Sequence, residues 1–153
     1  MLNVGEVIDD FSLPDADNQT RSLSEFLTHG RVILYFYPAD FTPVCTAEAC
    51  AFRDNFAGVE EIGVQIVGVS PQSAVSHRRF TDRYDLPFPL LSDERKSVIK
   101  QCKAEGPFGF GVRRVTYLLD TDGTILNRAT GEFSTSAHID LLREVVADYN
   151  SSS

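Results

Sequence analysis

The stretch Tyr35-Phe36-Tyr37-Pro38-Ala39-Asp40-Phe41-Thr42-Pro43-Val44-Cys45-Thr46-Ala47-Glu48-Ala49-Cys50 decides how this chain of 153 residues folds. It completes an apolar run, Val32 to Tyr37, that reads as a buried strand and stops at Pro38. A short loop follows, and Thr42-Pro43 opens a helix. Threonine is a favoured N-cap, and proline is tolerated just inside a helix because its missing N–H would be unpaired there. Cys45 then falls in the first turn, with Cys50 five residues further on. A helix start offers unpaired N–H groups and a partial positive charge, and both favour a thiolate over a thiol. The alternative is that both cysteines are small apolar packing residues.

Upstream of this stretch, residues 1 to 10 read as an extended lead-in carrying Gly5, Glu6, Asp9 and Asp10. Phe11-Ser12-Leu13 alternates and stops at Pro14, as a short edge strand does, and Asp15 to Gln19 is turn chemistry. Ser22 is placed to cap a short helix containing Leu23, Phe26 and Leu27, closed by Gly30.

Downstream, the helix from Pro43 is predicted to run to about Ala57 and stop at Gly58, with Ala49, Phe52 and Phe56 facing a sheet. Gln65 to Ser70 is a second buried strand. Ser73 to Tyr84 is a polar helix on which His77, Arg78 and Arg79 read as a solvated face. Leu86 to Leu91 is extended because Pro87 and Pro89 exclude a helix interior. Asp93 to Cys102 is predicted as a helix, and the Gly-rich run Glu105 to Gly111 as a flexible loop. Arg114 to Leu119 and Thr124 to Asn127 form a hairpin across Asp120-Thr121-Asp122-Gly123. Ser136 is expected to cap a last helix striped by Ile139, Leu142, Val145 and Val146, and Ser151 to Ser153 to be a frayed tail. The order of elements, βα, βα, then ββα, fits a single α/β domain over residues 1–153: a thioredoxin-like fold with a central mixed sheet flanked by helices.

Composition narrows the function. The chain is 42% hydrophobic and 24% charged, an ordinary globular balance, and its net charge of −8 argues against nucleic acid as a partner. No apolar stretch is long enough to span a membrane, and Met1 is not followed by a basic and then apolar leader, so the expected location is cytoplasmic. Three cysteines in such a chain do not make a disulfide framework and point instead to catalytic thiol chemistry. His29, His77 and His138 lie far in sequence from the cysteine pair, so no metal is expected.

The motif Pro38-x-x-x-Thr42-x-x-Cys45 resembles the active-site signature of the peroxiredoxins, the thiol peroxidases. The run Thr42 to Asp54 is similar to the bacterioferritin comigratory protein or Q-type branch, which often carries a second cysteine five residues after the first. The likeness extends through Gly68-Val69-Ser70, Phe88 to Asp93 and Arg114 to Asp120, covering roughly Val4 to Val146. Two departures stand out. Phe41 and Val44 occupy positions where the branch often has an acidic residue and glycine, making the pocket mouth more apolar. The segment Gly106 to Gly111 is also less typical.

The resemblance implies that Cys45 is the peroxidatic cysteine, attacking a peroxide oxygen to become a sulfenic acid. Thr42 would accept a hydrogen bond from the peroxide as well as cap the helix. Pro38 would shield the sulfur as well as end the strand. Arg114 matches the family's active-site arginine; Arg113 is its rival, and strand alternation sends the two to opposite faces. Glu48 either positions that arginine or is a surface residue. Cys50 is the candidate resolving cysteine. Five residues along an ideal helix separate Cα atoms by roughly 8.6 Å, beyond the roughly 6.8 Å a disulfide tolerates, so the first turns must unwind for the pair to bond. Alternatively, Cys50 only packs and an external thiol resolves. Cys102 reads as a buried bystander and the weaker resolver.

The implied activity is reduction of hydrogen peroxide and organic hydroperoxides, with thioredoxin or a similar thiol reductant restoring the enzyme and no cofactor. The rivals are a thiol–disulfide oxidoreductase, which usually carries Cys-x-x-Cys, and a redox sensor. With no extra C-terminal arm, a monomer or weak dimer is expected.

Overall fold

The computed structural model of the chain describes residues 1–132 and 135–151. In chain order it contains β1 (Ser12–Pro14), β2 (Thr20–Ser22), α1 (Leu23–Leu27), β3 (Val32–Phe36), α2 (Pro43–Asp54), α3 (Phe56–Glu61), β4 (Gln65–Ser70), α4 (Ala74–Tyr84), β5 (Leu90–Ser92), α5 (Ser97–Gln101), β6 (Val115–Leu119), β7 (Ile125–Thr130) and α6 (Ser136–Ser151), with a 3-10 turn at Pro107–Gly109. Five strands form one sheet in the order β5-β4-β3-β6-β7. The β3–β4 and β4–β5 pairs are parallel; β3–β6 and β6–β7 are antiparallel. This is the mixed, helix-flanked sheet of the thioredoxin-like fold.

β3 lies at the centre, and all five of its residues are buried. Its continuous apolar run follows from cover on both faces. Val32, Leu34 and Phe36 pack with Leu23, Phe26, Val98 and Ile99 on one face; Ile33 and Tyr35 pack with Ala49, Phe52, Val59, Phe80 and Leu142 on the other. Each such side chain contributes about 1.5–3 kcal/mol by leaving water. Tyr35 needs Gly68 beside it on β4, because a Cβ there would stand 2.8 Å from the Tyr35 ring and from Leu90. Cys45 belongs to the second of these clusters and Cys102 to the first, so the sheet stands between them.

Several boundaries differ from the sequence reading, each for a local reason. The helix from Pro43 does not reach Gly58. It breaks at Asn55, where the backbone N–H and the side-chain Nδ2 both bond the Ala51 carbonyl, at 3.2 and 2.8 Å. Gly58 sits inside α3, with Val146 close above it. The expected edge strand has a partner, β2, in a separate two-stranded sheet. The helix expected from Asp93 starts only at Ser97. Lys96 is left-handed at φ 59°, and the Asp93 carboxylate accepts the Ile99 N–H at 2.8 Å.

At the C-terminal end, Ser136 is the first residue of α6 and not its cap; Ile139 N–H bonds the Thr135 carbonyl. Helix α6 also takes in Ser151, the first residue of the expected frayed tail, while Ser152 and Ser153 lie outside the described residues. The hairpin agrees with the reading: Gly123 takes φ 87° and its N–H bonds the Asp120 carbonyl at 2.9 Å.

Candidate active site

β3 carries the chain to one end of the sheet's central strand, and Pro38, half-buried, follows the last paired residues. Helix α2 begins at Pro43 and places Cys45 in its first turn, 1% exposed. Thr42 holds the N-cap position with extended φ −74° and ψ 152°, and its carbonyl accepts the Thr46 N–H at 2.8 Å. Its hydroxyl, however, does not cap the helix as expected. It donates to the Ala39 carbonyl at 3.2 Å and so closes the loop on itself. The first turn of α2 therefore keeps no side-chain cap, which leaves its N–H groups to a neighbouring anion.

Arg114 meets the sulfur. It is buried just before β6, and its Nη1 donates to Cys45 Sγ at 3.0 Å. Nε donates to the Glu132 carbonyl at 2.9 Å, and the backbone N–H to Glu132 Oε2 at 3.3 Å. Arg113 is exposed on the opposite side, as alternation requires.

Glu48 is no surface residue. It is wholly buried, with Oε1 3.6 Å from Arg114 Nη1 and Oε2 3.7 Å from His138 Nδ1. Among the described residues neither oxygen has a hydrogen-bond partner, so both pairs are contacts and not bonded bridges. Burial pushes the Glu48 carboxyl up to about 8 against the opposing pull of Arg114. His138 is equally enclosed. Its Nε2 faces the Gly131 carbonyl at 3.2 Å and its Nδ1 the Thr116 hydroxyl at 2.7 Å. Burial lowers its pKa. Spacing held a signal for both. Glu48 falls on the α2 stripe of Cys45, Ala49 and Phe52, and His138 on the α6 stripe of Leu142 and Val145.

A second buried polar cluster fixes the loop. Asp40 accepts from Tyr37 Oη at 2.7 Å, from Ser76 Oγ at 2.6 Å and from His77 Nδ1 at 2.8 Å. His77 Nε2 faces the Leu91 carbonyl at 3.1 Å. His77 is thus fully buried, not part of a solvated face, because α4 turns it onto the loop while Arg79 stays outside. Burial alone would raise the Asp40 pKa; the bonds from His77, Ser76 and Tyr37 outweigh it and hold the carboxyl below its ordinary value. The next residue, Phe41, takes φ 67° and lays its half-exposed ring edge-on to Phe80 at 5.1 Å, giving the loop an apolar lip.

The three cysteines are all free. Cys50 is partly exposed in the unbroken α2. Cys102 is fully buried, and burial pushes its thiol up to about 12. Cys45, Glu48 and Arg114 therefore converge, with Thr42 and Pro38 in the adjoining loop. Cys102 stands apart behind the sheet.

The chain is similar to known proteins in sequence and in structure. A model of the AhpC/TSA family matches residues 4–128. The chloroplastic peroxiredoxin Q of Triticum aestivum is 43% identical over 140 residues, covering 90% of this chain and 64% of that protein. That of Arabidopsis thaliana is 40% identical over 140 residues, with 91% and 64% covered. The chain thus spans a little under two thirds of the length of these curated relatives. Among solved structures, peroxidoxin BcpB from Mycobacterium tuberculosis superposes with a TM-score of 0.90 at 36% identity, covering 97% of this chain and 98% of that one. The bacterioferritin comigratory protein of Xanthomonas campestris, studied for alkyl peroxide reduction, superposes with a TM-score of 0.81 at 25% identity, 91% of each chain being covered.

Proposed function

Because this chain belongs to the AhpC/TSA family, in its peroxiredoxin Q and bacterioferritin comigratory protein branch, we propose that it is a thiol-dependent peroxidase acting on hydrogen peroxide and organic hydroperoxides. The observation that carries this reading is the 3.0 Å contact between Arg114 Nη1 and Cys45 Sγ at the start of α2.

The sulfur attacks as the thiolate, with the Arg114 guanidinium and the uncapped helix start beside it. It attacks one peroxide oxygen, an S–O bond forms and the O–O bond breaks. Cys45 leaves as a sulfenic acid, the substrate leaves as water or an alcohol, and one proton is taken up overall. Arg114 meets the negative charge that grows on the departing oxygen. Thr42 lines the approach, and its hydroxyl can turn from the Ala39 carbonyl to accept from the peroxide. The Cys50 thiol then displaces water from the sulfenic acid to give a disulfide. That step requires α2 to open, since the unbroken helix holds the two Cα atoms roughly 8.6 Å apart. A dithiol reductant of the thioredoxin kind returns both sulfurs to thiols by exchange. The apolar lip of Phe41 and Val44 suits substrates with a hydrocarbon arm. We place the protein in the cytoplasm, where three unpaired thiols stay reduced.

The test is sustained peroxide consumption with thioredoxin and its reductase, comparing the wild type with Cys45→Ser. Continuous turnover that Cys45→Ser abolishes is the expected result. A single stoichiometric oxidation without turnover would point to a redox sensor instead, and full activity in Cys45→Ser would remove the assignment.

A further inference from the structure

The polar atoms beneath Arg114 are unusual for a protein interior. Among the described residues, both carboxyl oxygens of Glu48 are enclosed without a hydrogen-bond partner, although buried polar groups are nearly always bonded. Helix α2 brings Glu48 and Cys45, the segment before β6 brings Arg114, and α6 brings His138. The charged and titratable groups facing Glu48 are Arg114 at 3.6 Å and His138 at 3.7 Å, with Glu132 and Tyr35 of β3 at longer range.

The protonation of His138 follows from its partners. A carbonyl only accepts, so Nε2 carries a proton toward Gly131, and the Thr116 hydroxyl can give its proton to Nδ1. Burial lowers the ring's pKa, which disfavours a second proton. With its lone pair taken by Thr116, Nδ1 brings no positive charge toward Glu48, and the only full positive charge among these contacts is Arg114. That one guanidinium faces two potential anions, the Cys45 sulfur at 3.0 Å and the Glu48 carboxyl at 3.6 Å.

We propose that Glu48 works as a neutral carboxylic acid packed against the His138 ring, and that loss of its proton withdraws Arg114 from Cys45. Glu48 and His138 are positioning residues that act on the sulfur through Arg114. As an acid, Glu48 leaves the guanidinium charge to the thiolate. As a carboxylate it competes for the same Nη1, and both the thiolate and the charge growing on the leaving oxygen lose support. Only an O–H bond breaks, and the proton goes to solvent as pH rises. The site thereby turns itself down in alkaline surroundings. This inference rests on the peroxidase reading, because it requires a reacting thiolate at Cys45.

The experiment measures second-order rate constants with hydrogen peroxide by stopped flow for the wild type, Glu48→Gln and His138→Gln. The ratio of wild type to Glu48→Gln, set to one at about pH 6.5, should fall roughly fivefold by about pH 9.5, as a second anion takes part of the Arg114 charge. His138→Gln should move the midpoint of that fall. A flat ratio in an active enzyme overturns the proposal, and an unmoved midpoint overturns the part given to His138. A second readout does not depend on the variants folding well. Infrared difference spectra of the wild type between about pH 7 and about pH 9.5 should show the loss of a protonated carboxyl C=O band. No such band at neutral pH would overturn the proposal by itself. A wild type that consumes no peroxide at any pH would instead bring down the peroxidase reading, and this inference with it.

Discussion

Replacing Glu48 by Gln should change how stability depends on pH. Folding places this carboxyl in the interior without a hydrogen bond, and burial lifts it from its ordinary 4.5 to about 8. Between those values the folded chain holds a proton that the unfolded chain has released. Stability therefore falls as pH rises across that window, by about 1.4 kcal/mol per pH unit, and levels off above the upper value. The whole gap of about 3.5 in pKa corresponds to about 5 kcal/mol. Glutamine has nearly the same volume and cannot ionise, so the variant lacks this slope. An amide N–H left unpaired there costs about 1–3 kcal/mol, and that cost does not vary with pH. Urea unfolding of the two reduced proteins at a series of pH values gives the comparison. The difference should swing toward the variant by up to about 5 kcal/mol between about pH 4.5 and about pH 8. A difference that stays constant across the series would refute the view that Glu48 is buried as an acid.

Arg114→Ala should lower the second-order rate constant with peroxide about 10²–10³-fold, as loss of a donor aimed at developing charge does, whereas Arg113→Ala should stay within about threefold, an exposed charge having little reach; the reverse order would exchange their roles. Cys50→Ser should still form the sulfenic acid at Cys45, trapped by a dimedone-type reagent, but no disulfide inside the monomer. A disulfide that persists under non-reducing mass analysis would make Cys102 the resolver. Asp40→Ala should destabilise the fold by about 3–5 kcal/mol in chemical denaturation, because it leaves His77 buried without its carboxylate. In the wild type the Asp40 contribution is complete above its ordinary 3.8 and fades as pH falls through its lower folded value. A loss below about 1 kcal/mol, the size of an exposed pair, would show that the cluster does not anchor the loop.

Much of the site was legible because its signals are local. A two-sided apolar run, a Thr-Pro helix start and a first-turn cysteine lie within a short span, and strand alternation separated Arg114 from Arg113. What escaped notice is long-range. Asp40 and His77 are brought together by the packing of α4 over the loop, and a helix rich in polar residues gives little sign that one of them points inward. His138 lies on an apolar stripe that spacing could have revealed, and Glu48 was a candidate only through the resemblance, since a charged residue on a buried stripe runs against composition. The Thr42 hydroxyl was misread because the Ala39 carbonyl, produced by the bend of the loop, competes for it. The break at Asn55 likewise depends on a side chain folding back onto Ala51, which residue preference alone does not announce.

That break has a mechanical consequence. Helical order is cooperative along an unbroken rod and does not pass across an interruption. With Asn55 dividing the rod, opening α2 to join its two sulfurs would strip only that element, while α3 stays seated on its buried Val59. Upstream, Asp40 remains moored to α4. Under the proposed chemistry the moving span would be a drawbridge between two piers, lifting and settling while the sheet beneath it stays still.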